Sequence, residues 1–105
     1  MTNPFDNYTG PPAAPYASGT ATVGTTAVLL ATVTSAKGIL VQNNSATAIT
    51  VYLGGSAVTA SGATQGFALA QNASVTVPSL GDAGCQLYAI AASAGALVTY
   101  LYPTA

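Results

Sequence analysis

What constrains this chain most is how short its apolar runs are and which residues interrupt them. Residues 38–55, GILVQNNSATAITVYLGG, carry the pattern most clearly. Ile39, Leu40 and Val41 form a continuous apolar run, the mark of a short strand covered on both faces. Asn43, Asn44 and Ser45 follow, and their side chains favour turns by bonding nearby backbone. Ile49, Val51 and Leu53 then alternate with Thr50 and Tyr52, the period of two expected of a half-buried strand. Gly54 and Gly55 close the stretch and permit backbone angles that other residues avoid, which places a sharp turn there. The stretch reads as a hairpin around which the remaining strands are laid.

The same grammar runs on either side of it. Residues 20–23 and 27–33 are rich in β-branched side chains, which suit a pleated surface, and Gly24 marks a bend or bulge between them. A helix over residues 27–36 is the competing reading, and four threonines and valines in those ten residues weigh against it. Further on, Val58 opens a possible short strand, and Ser61, Gly62 and Gly66 mark a loop. Short strands are expected at 67–69 and 75–77, the second ended by Pro78, and residues 80–84 form a loop holding Asp82. Residues 86–91 and 96–102 read as a last pair joined across 92–95. Turn signals recur about every eight to twelve residues, which predicts an all-β fold. The expected architecture is a small antiparallel β-sandwich or barrel of seven to eight short strands, with no helix.

Residues 1–18 are of another kind and separate as an extended N-terminal arm from a β-sandwich domain over 19–105. Pro4, Pro11, Pro12 and Pro15 remove backbone donors and force their neighbours into extended geometry. Phe5, Tyr8 and Tyr16 are spaced through this segment as candidate assembly contacts. Two readings stay open: an arm that docks these aromatics on another surface, or a disordered tail. The Pro12-to-Pro15 spacing also fits a PxxP motif, for which chance is the better account.

Charge sorts the possible partners. Only Asp6, Lys37 and Asp82 are formally charged among 105 residues, where ordinary soluble domains carry about a quarter. A single cation gives no footprint for nucleic acid or for an anionic membrane surface. Thr, Ser, Asn, Gln and Gly interrupt every apolar stretch, so no spanning helix is expected. The first ten residues lack the basic start and apolar centre of a secretory signal, and synthesis in a host cytoplasm is expected. Cys85 stands alone and is expected to be a small buried hydrophobe.

The inventory of chemical groups predicts no catalytic residue, no metal and no cofactor. Without histidine, neither a Ser-His nor a Cys-His pair can form. Asp6 and Asp82 lie in unrelated segments, and nothing ties them into an acid–base pair. Zinc and calcium both require ligand clusters that the composition lacks, and neither GxxxxGK[ST] nor GxGxxG occurs. Lys37 reads as a strand-entrance residue with its ammonium in water, or as the partner of a neighbour's carboxylate. Asn7, Asn43 and Asn72 match the glycosylation acceptor pattern, which arises easily in a chain rich in Ser and Thr. Tyr88 and Tyr100, placed on adjacent strands, offer a face for stacking on a sugar, although ordinary cross-strand packing is the better account.

Sheet edges normally protect themselves with charge, proline or a covering element, and this chain has almost no charge for that purpose. Its edges are therefore expected to be covered by copies of itself or by a larger body. Together Gly38-Ile-Leu-Val-Gln-Asn43, Ile49-Thr-Val-Tyr-Leu-Gly-Gly55, Val58-Thr59, Phe67-Ala-Leu69, Ser74-Val-Thr-Val77 and Leu87-Tyr-Ala-Ile-Ala91 carry a resemblance. Over residues 38–102, about two thirds of the chain, they resemble a small β-sandwich module among the virion structural proteins of tailed bacteriophages. That resemblance implies a capsid decoration protein, a head fibre or a tail component, and it carries over no catalytic or binding position. The expectation is a non-enzymatic decoration protein on the capsid exterior, trimeric, whose partners are its own copies and the major capsid protein or another virion protein. The alternative is a tail or fibre component that binds a glycan or receptor.

Overall fold

The β-branched and apolar runs do become strands, and their side-chain alternation decides which face each one buries. The computed structural model describes residues 16–33, 38–78 and 85–103. Eight strands run in order: β1 (Tyr16–Val23), β2 (Val28–Val33), β3 (Ile39–Asn43), β4 (Val51–Gly54), β5 (Phe67–Leu69), β6 (Ser74–Val77), β7 (Cys85–Ala91) and β8 (Ala96–Pro103). One 3₁₀ turn, Gly62–Thr64, is the only helical element among the described residues. The fold is all-β, a small antiparallel sandwich, and Val28–Val33 is strand rather than helix.

Sheet 1 is ordered β1-β8-β3-β6 and sheet 2 is ordered β2-β7-β4-β5, with every pairing antiparallel. Consecutive strands lie in opposite sheets, β4 and β5 excepted. That order is an eight-stranded jelly roll, two Greek keys folded over one core. It overturns the two hairpins expected from sequence. The strands of residues 38–55 do not pair, because β3 belongs to sheet 1 and β4 to sheet 2. The last two strands part in the same way, β7 to sheet 2 and β8 to sheet 1. Each of these connections is an arch between sheets.

Inward-facing residues alternate along the strands and fill the space between the sheets. Val23, Val33, Ile39, Val41, Val51, Leu53, Leu69, Leu87 and Val98 are buried there, with Ala89, Ala91 and Ala96 among them. In β2 the register shifts between Leu29 and Ala31, so Leu30 is an extra residue and both Leu30 and Ala31 are buried. Leu40, expected inside a doubly covered strand, instead points out of sheet 1 and is 44% exposed. Its neighbours Ile39 and Val41 take the inward face, because successive side chains of a strand must point to opposite sides.

One polar residue sits in this core. Asn43 is wholly buried at the end of β3, and it does far more than cap a local turn. Its Nδ2 donates to the Ile49 carbonyl and to the Leu69 carbonyl, both at 2.8 Å. Its Oδ1 accepts from the Ser45 amide at 3.2 Å and the Ser45 hydroxyl at 2.6 Å. The Ser45 oxygen in turn accepts from the Leu97 amide at 3.0 Å, and Gln71 Nε2 donates to the Ser45 carbonyl at 3.0 Å. Asn43 therefore joins the end of β3 in sheet 1 to the approach to β4 and the end of β5 in sheet 2. Among the described residues no buried side-chain nitrogen or oxygen lacks a partner. A satisfied buried network of this kind favours one arrangement over its competitors.

Glycines mark close approaches more than turns. Neither Gly54 nor Gly55 has a positive φ, so the expected requirement for special backbone angles is absent. Gly54 is small for another reason: a Cβ there would stand 2.8 Å from Val58 Cγ2. The 55–66 connection folds back so that Val58 is buried against Gly54, and Val58 opens no strand; Thr59 only forms an isolated bridge to Gln65. Gly38 does have a positive φ, 81°, and its α-carbon lies against the Val77 carbonyl.

Candidate functional site

The outer face of sheet 1 carries exposed apolar residues in register. Cross-strand register arranges it in rows: Ser18, Leu101, Leu40 and Thr76 form one, and Thr20, Thr99, Gln42 and Ser74 form the next. Thr22 faces Leu97 beyond them, and Tyr16 faces Pro103 at the other end. Leu40 and Leu101 are direct partners in the register, exposed by 44% and 39%. A shallow hollow of about 220 Å³ lies among Leu40, Gln42, Thr99 and Leu101. Hydroxyls and amides flank the leucine stripe among the described residues. Asp6, Lys37 and Asp82 all lie outside the described residues, so nothing described carries a formal charge.

Of the three candidate assembly contacts, Phe5 and Tyr8 lie outside the described residues. Tyr16 is the first residue of β1, which makes residues 16–18 sheet rather than arm. Tyr16 is 70% exposed on the register of the leucine face. Sequence reasoning missed Leu40 and Leu101. The signal available was an apolar residue at both parities of an uncharged strand, which one buried face cannot absorb.

The tyrosines separate into two groups. Tyr88 and Tyr100, expected on one face, lie in different sheets. Tyr100 and Tyr102 point inward from β8, stack with centroids 6.2 Å apart and planes 19° apart, and pack against the core. Tyr52 and Tyr88 take the outer register of sheet 2, where Tyr52 pairs with Ile90 and Tyr88 with Leu29. Cys85, expected to be buried, is partly exposed at the start of β7.

Among the described residues, no group of three or more His, Cys, Asp or Glu gathers to hold a metal ion, and no helix is long and apolar enough to cross a membrane. The Gly54–Gly55 turn borders a hollow of about 370 Å³ with Val58 and Phe67, but Val58 occupies the space above Gly54. What the geometry offers is surface: a sheet face with no charge among its described residues and leucines along its middle. No known protein family, curated protein or solved structure matches this chain.

Proposed function

We propose that this chain is a non-enzymatic structural protein of a phage virion, a capsid decoration protein seated on the outside of the head. The observation that carries the reading is the outer face of sheet 1, where Leu40 and Leu101 lie side by side with no described charge around them. An exposed apolar stripe on so weakly charged a chain invites association, and covering it gains about 25 cal/mol per Å² before association costs. The jelly-roll order supports the same reading, since that fold recurs in viral capsid domains, although a fold alone does not fix a function. Reinforcement is the mechanism: apolar area buried across capsomer junctions, with contacts between copies, as a trimer, holding the layer together. The leucine face meets the shell, and the N-terminal arm contacts the shell or a neighbouring copy.

Tyr52 and Tyr88 on the outer register of sheet 2 favour a second reading, a glycan- or receptor-binding part of a tail or fibre. Cryo-electron microscopy of virions from the phage that encodes the chain separates the two. Density over capsomers or their junctions is the expected result. Density confined to the tail would transfer the case to the second reading, and absence from purified virions would end both.

A further inference from the structure

The sandwich is open along one side. β6 is the last strand of sheet 1 and β5 the last of sheet 2, and between them lies a cleft of about 340 Å³. Leu53, Phe67, Val75, Val77, Pro78 and Leu87 line it, and Gly54 and Thr76 complete its wall. Register assigns several of these to the core: Phe67 pairs with Leu53, Val75 with Val41 and Val77 with Ile39. Those partners are buried, yet Phe67 is 61% exposed and Val75 and Val77 are only partly covered. Core-facing side chains thus reach water here, in a groove with the size and lining of an aromatic-binding site.

The opposite edge of sheet 1 is β1, and residues 1–15 enter the fold at its first residue, Tyr16. β8 and β3 lie between β1 and β6, so the two edges stand about three strand spacings, roughly 14 Å, apart. Phe5 precedes Tyr16 by eleven residues, which span at most about 36–40 Å when extended. That reach exceeds the width of the sandwich, so it covers the cleft of the arm's own subunit as well as that of a neighbour lying side by side. Association is what selects the neighbour, on a chain with three formal charges and core-facing apolar side chains open to water.

We propose that the arm is a clasp: Phe5, with Tyr8 behind it, fills the β5–β6 cleft of a second copy. This rests on reading residues 1–15 as a docking arm, and it names the surface that receives it. Donor and acceptor are different patches on opposite edges, so the contact is head-to-tail, and three such contacts close a ring. Phe5 suits a groove whose inward-facing side chains are apolar, and docking it covers Phe67, Val75 and Val77.

Sedimentation equilibrium on the full chain tests the clasp. The unaltered protein should be trimeric, and Phe5→Ala and Phe67→Glu should each weaken association by on the order of 30-fold, the scale of an aromatic hot spot. Phe67 is exposed, so its variant keeps the β-sheet circular dichroism of the parent. An unaltered protein that stays monomeric, or variants that associate as tightly as it does, would overturn the clasp. A second measurement covers misfolding: oxidation of Phe5→Cys/Phe67→Cys in a Cys85→Ser background. Disulfide-linked chains are expected, and a link formed only within one chain overturns exchange between copies. Failure here leaves the virion location standing, because a monomer can still decorate a capsid. A clasped trimer absent from virions would reject the location and keep the clasp.

Discussion

Tyr100 lies across Gly19. The two are register partners on β8 and β1, and a Cβ at position 19 would stand 2.6 Å from the Tyr100 hydroxyl and 2.8 Å from the ring carbon bearing it. The glycine leaves room on the inward face for a ring that also stacks on Tyr102. An aromatic laid over a glycine recovers packing that the bare backbone would forgo.

Gly19→Ala should therefore push the half-buried Tyr100 ring aside and destabilise the fold by about 1 kcal/mol, the low end of the range for overpacking. Chemical denaturation measures it. In a double-mutant cycle with Tyr100→Ala the two losses should fall short of additivity, because removing the ring removes the clash. Full additivity would place the effect elsewhere.

Asn43→Ala strips the Ile49 and Leu69 carbonyls of a shared donor and leaves the Ser45 hydroxyl without its acceptor. Several buried groups lose partners at once, so a cost of about 2–4 kcal/mol is expected in equilibrium unfolding. Asn43→Asp should cost more than Asn43→Ala, since it turns a carboxylate toward two carbonyl oxygens. Equal stability of Asn43→Ala and the parent would show that the network is dispensable.

The two adjacent glycines should behave oppositely. Gly54→Ala collides with Val58 and should cost about 1–3 kcal/mol. Gly55 has open space around its Cβ direction and no positive φ. Gly55→Ala should accordingly be neutral or stabilise by about 0.4–1 kcal/mol, through the unfolded chain. Thermal melts of the two variants decide between close approach and turn geometry as the role of this pair.

Leu40→Lys and Leu101→Lys alter the outer face of sheet 1 while leaving the core alone. Each should change stability by no more than about 1 kcal/mol. On the proposed seat of this face against the capsid shell, the two together should abolish binding to capsids stripped of the protein, measured by co-sedimentation. Binding that survives both charges would remove this face from the proposed contact.

The strands themselves were legible in the residues. Period-two alternation is local, and it located β5 at Phe67–Leu69 and the ends of β6, β7 and β8 to within a residue or so. The proposed contact surface was legible only as an absence of charge. Its leucines emerged when register set Leu40 beside Leu101, residues 61 positions apart.

Pairing was a different matter. A turn-rich segment such as 44–50 or 92–95 can close a hairpin or arch between sheets, and its own residues suit either. What decided was long-range: the Asn43 side chain ties the end of β3 to the Leu69 carbonyl at the end of β5 in the other sheet, and Asn44 donates its amide to the Leu97 carbonyl at 2.8 Å. By itself, then, the sequence determined an all-β chain of short uncharged strands, because side-chain alternation and turn chemistry act over a few residues. Only the tertiary structure decided that those strands form a jelly roll with an apolar outer stripe and an open β5–β6 edge. Strand partners and buried faces are chosen by contacts between residues far apart in the chain.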